Sequence, residues 1–246
     1  MPHDPIDQAR RLAHERFPDA LAVILAGSTA LGRATAGSDL DIAVLVADGR
    51  ETYRETLRFE GRLVELFVHT RAGLRDLFAV DRAGRRAVMQ SMYATGLVLV
   101  DVDGEAARAR ALAEEDLRSG PAALGPDAVE AKRYALTDAL DDLCDATDGF
   151  ERQAVAGFVV NAAADLLCDH HRAWKGSGKW LPRRLLEADP ELGAVLLDAH
   201  ARVGRTQDPA PLIETASAVL DLVGGPLREG YRRTWRGAAE PVTAGS

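Results

Sequence analysis

The sequence contains little cysteine and no long hydrophobic run. Of its 246 residues only Cys144 and Cys168 are cysteines, which is too few for a disulfide framework and favours a reducing compartment. No stretch approaches the roughly 20 apolar residues that a membrane-spanning helix needs. The first residues, Met-Pro-His-Asp-Pro, lack the apolar segment of a signal peptide. We therefore expect a cytoplasmic protein that does not associate with a membrane.

Basic residues are also in deficit, since 38 acidic residues face 30 basic ones. Divided at Gly120, the first part has 19 acidic and 16 basic residues, and the second has 19 and 14. A protein that binds nucleic acid through many phosphate contacts needs a basic surface. We therefore expect no nucleic-acid partner and no polymerase activity. With 47% hydrophobic residues the chain can still bury a core.

Apolar periodicity predicts a mixed first half and a helical second half. The predicted elements of the first half are a helix at residues 6–17, strands at 21–26, 40–46, 52–60 and 62–70, helices at 74–78 and 85–93, and a strand at 97–100. Beyond the Gly-Pro pairs near residues 120–126, four helix-length segments follow, at 127–147, 150–174, 190–203 and 209–223. We predict an α+β domain with a mixed, α/β-type sheet at 1–120 and an all-α helical bundle at 121–246.

The segment from Gly27 to Arg33 follows a predicted buried strand and opens a short helix. A glycine at this point lets the backbone approach a ligand closely, and a helix N-terminus offers unpaired N–H groups to a phosphate. Ser28 has two possible roles here, because it can cap the helix or bind phosphate itself.

Three acidic residues form a candidate metal site. Asp39 and Asp41 begin the next predicted strand, where alternate side chains share a face while Leu40 points to the core. Two like charges so close repel, and a divalent cation is the usual remedy. Glu65 is a lone charge within the apolar run 63–68 of a later strand, which is unfavourable without a partner. If the two strands are neighbours, the three acids form an oxygen cluster suited to Mg²⁺.

The order of these residues resembles a motif of the nucleotidyltransferase superfamily, which includes DNA polymerase beta. The motif consists of a Gly-Ser pair, ten further residues, Asp-x-Asp at a strand start and a later acid. The compact first domain followed by a helical bundle is similar to the bacterial aminoglycoside and other antibiotic nucleotidyltransferases. The resemblance covers residues 20–70 by motif and the rest by architecture. It implies transfer of a nucleoside monophosphate from a nucleoside triphosphate to an acceptor hydroxyl.

The resemblance also implies roles for individual residues. The residues that it implies at the nucleotide phosphates are Gly27, Ser28, Arg33 and Ser38. Those that it implies as catalytic ligands of Mg²⁺, with two ions expected, are Asp39, Asp41 and Glu65. Arg33 is expected either to neutralise phosphate or to brace an acid. Glu60 is the alternative third acid.

One face of the first predicted bundle helix is acidic, and its residues are Asp138, Asp141, Asp142, Asp145 and Asp148. A solvated face accounts for most of them. The sharper interpretation is that one of them, with Asp138 and Asp142 as candidates, is the general base, or that the face attracts a cationic acceptor.

Lysine supplies only 3 of the 30 basic residues, and two of these lie in one glycine-rich segment. Lys179 is expected to contact the triphosphate, with Lys175 as a near-silent comparison. The equally open alternative is a helix connection with a solvated lysine.

With these features, the resemblance implies an Mg²⁺-dependent enzyme that transfers AMP from ATP, or another nucleotide, to a hydroxyl of a small molecule such as an aminoglycoside-like antibiotic, and so confers antibiotic resistance. The alternatives are a toxin–antitoxin-type enzyme that transfers AMP to a protein and a catalytically silent nucleotide-binding protein. The sequence leaves the acceptor, the preferred nucleotide and the oligomeric state open.

Overall fold

The computed structural model describes residues 4–35 and 37–234. The chain divides into two compact units, Met1–Ala122 and Ala123–Ser246. Within the described residues, no helix combines the length and the apolar character needed to cross a membrane.

The N-terminal unit is built on a five-stranded sheet with the strand order β3-β4-β2-β1-β5. Strands β2 and β4 run parallel, and the other neighbouring strands run antiparallel. This mixed sheet confirms the predicted fold class. In chain order the elements are α1 (Pro5–Arg16), β1 (Ala22–Ala26), α2 (Gly27–Ala30), β2 (Leu40–Leu45), β3 (Tyr53–Phe59), β4 (Arg62–His69), α3 (Arg71–Ala83), α4 (Val88–Thr95), β5 (Leu97–Asp101) and α5 (Glu105–Ser119).

Alternation along the central strands gives the sheet two buried faces. On one face, Ile42 and Val44 of β2 and Val64 and Leu66 of β4 pack in one cluster with Leu12 of α1. On the other face, β1 and β2 pack against α3, α4 and α5, and the residues of that cluster include Ile24, Ala43, Leu45, Phe78, Tyr93 and Ala109. Asp41 and Glu65 belong to this second face, because they alternate with residues of the first.

The C-terminal unit is helical, as the sequence predicts. Its elements are α6 (Pro126–Asp145), α7 (Gly149–His170), a 3-10 turn (Gly178–Trp180), α8 (Leu181–Ala188), α9 (Pro190–Thr206) and α10 (Ala210–Asp221). Helix α7 packs against α6, α8, α9 and α10, and its buried residues join a single apolar core with theirs. A helix that packs against several neighbours is apolar around much of its circumference. The sequence of α7 therefore has little amphipathic pattern.

The α-helices that the sequence analysis does not predict are α5 and α8, and it also does not predict the 3-10 turn. Helix α5 buries only alanines, Ala106, Ala109 and Ala113, so its apolar stripe is weak. Helix α8 has only eight residues and buries only Leu185. The predicted helix 150–174 is too long, since α7 ends at His170 and Arg172 adopts a left-handed φ of 53°.

Candidate active site

The three acids of the predicted metal site come together in the N-terminal unit. Asp41 lies in β2, where it pairs with Ala26 of β1 on one side and with Glu65 of β4 on the other. Asp39 precedes β2 by one residue. Each of the three offers a carboxylate oxygen, and these oxygens all lie within 4.8 Å of one another. All three residues are half-buried, so the cluster is open to solvent on one side.

This donor set fits a divalent cation of the Mg²⁺ type. Mg²⁺ prefers carboxylate oxygens and keeps part of its water shell, which suits a cluster that solvent can reach. Three negative charges at this spacing repel one another unless a cation offsets them. Glu60, the alternative third acid, lies in the turn between β3 and β4 and instead pairs with Arg11 of α1 at 2.6 Å. Glu65 is therefore the acid that belongs to the cluster.

Gly27 leaves the space that Asp41 occupies. Its φ of 66° lies in the left-handed region, where a side chain is strained. A Cβ atom at this position would also overlap Oδ2 of Asp41, far inside van der Waals contact. Glycine is thus required twice, for the backbone conformation and for the close approach of the acid.

Helix α2 is a single turn that joins β1 to the loop before Asp39. Ser28 lies inside α2, and the position before the helix is occupied by Ala26, with no side chain capping the turn. Ser28 therefore does not cap this helix. Its carbonyl accepts a hydrogen bond from the backbone N–H of Arg33 at 2.8 Å, which closes the turn. The side chain of Arg33 is exposed.

A hydrogen-bond network that the sequence analysis misses fixes the approach to Asp39. The Arg62 guanidinium donates to the Ser38 carbonyl at 2.9 Å and to the side-chain oxygen of Gln8 at 3.1 Å. Gln8 is almost fully buried and donates to the Phe59 carbonyl at 2.7 Å. Hydroxyl Oγ of Ser38, expected at the phosphates, accepts from the backbone N–H of Thr35 at 2.9 Å. The only sequence signal for this network is that Gln8 is a polar residue on the apolar stripe of α1.

Glu65 also has a partner that the sequence does not reveal. Its Oε2 accepts a hydrogen bond of 2.7 Å from Nη2 of Arg54, on the neighbouring strand β3. This contact depends on the register of the β3–β4 hairpin, because Arg54 and Glu65 lie eleven residues apart in the chain.

The aspartates on the acidic face of α6, in the C-terminal unit, differ in their partners. Arg228 pairs with Asp138 and, at 2.7 Å, with Asp141. The hydrogen bond to Asp141 raises the pKa of the Arg228 guanidinium above its usual value. Asp148 caps α7 by accepting from the backbone N–H groups of its first turn. Among the described residues, the carboxylate of Asp142 has no hydrogen-bond or ion-pair partner.

Two of these acids line a groove within the C-terminal unit. Its volume is about 790 Å³, and it lies beside α6, α7 and the segment that follows α10. Tyr134 and Tyr231 stack there with ring centroids 4.2 Å apart. The lining residues are Ala131, Tyr134, Ala135, Asp138, Ala139, Asp142, Ala154, Val155, Phe158, Tyr231 and Arg233. An open groove of this size, mainly apolar with a few charged groups, is suited to a small molecule.

The two lysines of the glycine-rich segment differ in their surroundings. Lys175 is not a solvated comparison for Lys179, because its Nζ lies 2.8 Å from a carboxylate oxygen of Asp165 and 4.0 Å from one of Asp169. Lys132 joins the same group at 2.9 Å from Asp169. Lys179, in the 3-10 turn, is exposed and has no ion pair among the described residues.

The first part of the chain is similar to a known protein family. Residues 6–79 match a family described as "Nucleotidyltransferase domain". A crystal structure of a nucleotidyltransferase-like protein from Exiguobacterium sibiricum is similar over 89% of this chain and 74% of that one, with 11% sequence identity and a TM-score of 0.45. Among proteins of curated function, no match was found.

The matched segment runs from α1 into α3 and contains the Gly27-Ser28 turn and all three acids of the cluster. Residues 6–79 therefore form a nucleotidyltransferase domain.

Proposed function

We propose that this enzyme transfers a nucleoside monophosphate, AMP from ATP, to a hydroxyl of a small molecule such as an aminoglycoside-like antibiotic, and that it requires Mg²⁺. The observation that carries the proposal is the cluster of Asp39, Asp41 and Glu65 on two paired strands. The small-molecule acceptor is supported by the groove of about 790 Å³ in the helical unit and by a net charge of −8, which is unfavourable for nucleic acid.

In the proposed reaction, the acceptor oxygen forms a bond to the α-phosphorus, and the bond from that phosphorus to the oxygen bridging to the β-phosphate breaks. Pyrophosphate leaves with the bond electrons, and the hydroxyl proton passes to a carboxylate. Bound Mg²⁺ would supply positive charge that offsets the charge of the phosphates. The three acids would hold it through their carboxylate oxygens.

The chain's own groups would orient the nucleotide. Gly27 and Ser28, directly after β1, would present backbone N–H groups and a hydroxyl to the phosphates. Arg33 and Ser38 belong to the same loop region, and the exposed guanidinium of Arg33 is free to meet an oxygen of the triphosphate. We also propose that Lys179 contacts the triphosphate, since it is exposed and holds no ion pair among the residues that the structure describes.

Asp142 is the better of the two candidates for the base. Asp138 is already paired with Arg228, which occupies an oxygen of its carboxylate. Asp142 lines the same groove without such a partner among the described residues. A carboxylate that must accept a proton needs a free oxygen within reach of the acceptor hydroxyl.

Asp39→Asn and Asp41→Asn should each abolish transfer without lowering the melting temperature, because removing one of several crowded negative charges relieves repulsion. Glu65→Gln should lower turnover and weaken the dependence on Mg²⁺, since a neutral amide is a poor ligand for a hard cation. Transfer of labelled AMP to an aminoglycoside panel, at increasing Mg²⁺, measures both effects. Asp103→Asn, at an exposed turn, is the control. Near-wild-type turnover of either aspartate variant would refute the metal assignment.

Gly27→Ala should destroy transfer, whereas Gly32→Ala should retain it. Both glycines have a left-handed φ, of 66° and 65°, so both variants carry similar backbone strain. Only the new methyl group at residue 27 collides with Asp41, since nothing lies within 4 Å of a Cβ at residue 32. Thermal melting should show a loss for both variants from the backbone strain, with a further loss for Gly27→Ala from the collision, and their turnover should separate them. Equal turnover would mean that the close approach of Gly27 and Asp41 is irrelevant to the reaction.

Asp142→Asn should lower kcat by roughly a hundred- to ten-thousandfold, the range for losing a general base. Asp145→Asn is the matched control, because Asp145 is exposed on the same helix and does not line the groove. Steady-state kinetics with saturating acceptor gives both values. If the two variants have the same kcat, Asp142 is not the base.

Lys179→Ala should lower turnover by roughly ten- to a thousandfold, the scale for losing one contact that stabilises charge in the transition state. Lys175→Ala is unsuitable as the control, because it would break an ion-pair group. Arg202→Ala instead removes an exposed positive charge from α9. Calorimetric titration with an Mg²⁺–nucleotide complements the kinetics. If both variants match the wild type in affinity and rate, the glycine-rich segment is only a connection between helices.

A further inference from the structure

Arg54 is the side chain that contacts Glu65. The hydrogen bond from its Nη2 to Oε2 of Glu65 is 2.7 Å long. The side chain of Arg54 is 61% exposed and that of Glu65 is 23% exposed. A pair so open on one side adds little to stability, so its presence calls for another reason.

The hairpin register explains why Arg54 reaches Glu65. Thr56 of β3 lies directly opposite Glu65 of β4, and Arg54 lies opposite Phe67. Arg54 is therefore a diagonal neighbour of Glu65 on the same face, within reach of a long side chain. Its guanidinium carbon also lies 4.9 Å from the centroid of the Phe67 ring, at cation–π distance. The guanidinium is held from two directions, by a ring and by a carboxylate.

This double contact has a consequence for the metal site. Glu65 has a longer side chain than an aspartate and therefore more rotamers to lose when it binds a cation. Its oxygen lies within 4.8 Å of the ligand oxygens of Asp39 and Asp41 while Arg54 is bound to it. The ion pair and the cluster therefore exist in the same arrangement of side chains.

Resting on the proposed function, we propose that Arg54 is a positioning residue, which holds Glu65 in the rotamer that binds the divalent cation. Partners that hydrogen-bond to a ligating carboxylate fix its orientation, and losing one typically weakens metal binding ten- to a hundredfold, as an order of magnitude. Arg54 has no direct contact with the metal in this proposal and acts through Glu65.

The charge of Arg54 predicts the opposite effect, which makes the proposal testable. A positive group beside the cluster repels a cation, so its removal on charge grounds alone should tighten metal binding. Positioning and repulsion thus differ in the sign of the change and not only in its size.

Arg58 provides a matched control for charge. Arg58 lies on the same strand and the same face as Arg54. Thr56 is midway between the two arginines, and Arg58 lies opposite Leu63 of β4. It donates to the Gly61 carbonyl at 3.2 Å rather than to an acid. Both arginines are exposed. Removing Arg58 therefore takes away a similar charge without loosening Glu65.

The experiment is a titration of the full chain with MnCl₂, in which electron paramagnetic resonance measures the free Mn²⁺. Arg54→Ala should weaken Mn²⁺ binding about tenfold or more, and Arg54→Lys should recover part of the loss. Arg58→Ala should bind like the wild type or slightly more tightly. Thermal melting without metal should be alike for all four proteins, because the substituted side chains are exposed.

An affinity of Arg54→Ala equal to or tighter than that of Arg58→Ala overturns the proposal and leaves the metal site standing. If the wild type binds no Mn²⁺, the metal site of the proposed function fails, and the role of Arg54 fails with it. A double-mutant cycle with Glu65→Gln adds a check on the route. In that background Arg54→Ala should cause no further loss, and a loss as large as in the wild type would also overturn the proposal.

Discussion

The parallel pairing of β2 with β4 is the constraint on which the site depends, because it puts Glu65 directly beside Asp41. A slip of one residue would turn Glu65 to the opposite face of the sheet, where Val64 and Leu66 are buried. The apolar residues that alternate with the acids thus fix the positions of the acids. Hydrophobic packing supplies the free energy that holds three like charges close together.

The local parts of the site could be predicted from the sequence. Asp39 and Asp41 share a face because strand side chains alternate, and Glu65 stands out as the one charge among the apolar residues 63–68. The turn after β1 is visible because Gly27 closes an apolar run. The strands of the N-terminal unit and four helices of the bundle follow from periodicity in the same way. These features depend on neighbours within a few residues, so a single sequence contains them.

The remaining parts depend on pairings between distant segments. The partner of Glu65 depends on the β3–β4 register, and the partner of Asp138 is Arg228, ninety residues away. Lys175 looks like a solvated loop residue in the sequence, yet it belongs to an ion-pair group with Asp165 and Asp169. The alanine stripe of α5 gives too weak an apolar signal to predict that helix. A single sequence does not record which of many arginines meets which acid.

The central claim is that Asp39, Asp41 and Glu65 hold a divalent cation at the nucleotide. Its most direct test is a crystal structure of the protein with MnCl₂ and a non-hydrolysable ATP analogue, with anomalous scattering measured to locate manganese. The account predicts an anomalous peak bonded to oxygens of the three carboxylates, at the ~2.1 Å distance typical of such small cations, and in contact with the phosphates. Bound nucleotide without manganese at these carboxylates, or manganese bound elsewhere in the N-terminal unit, would contradict it.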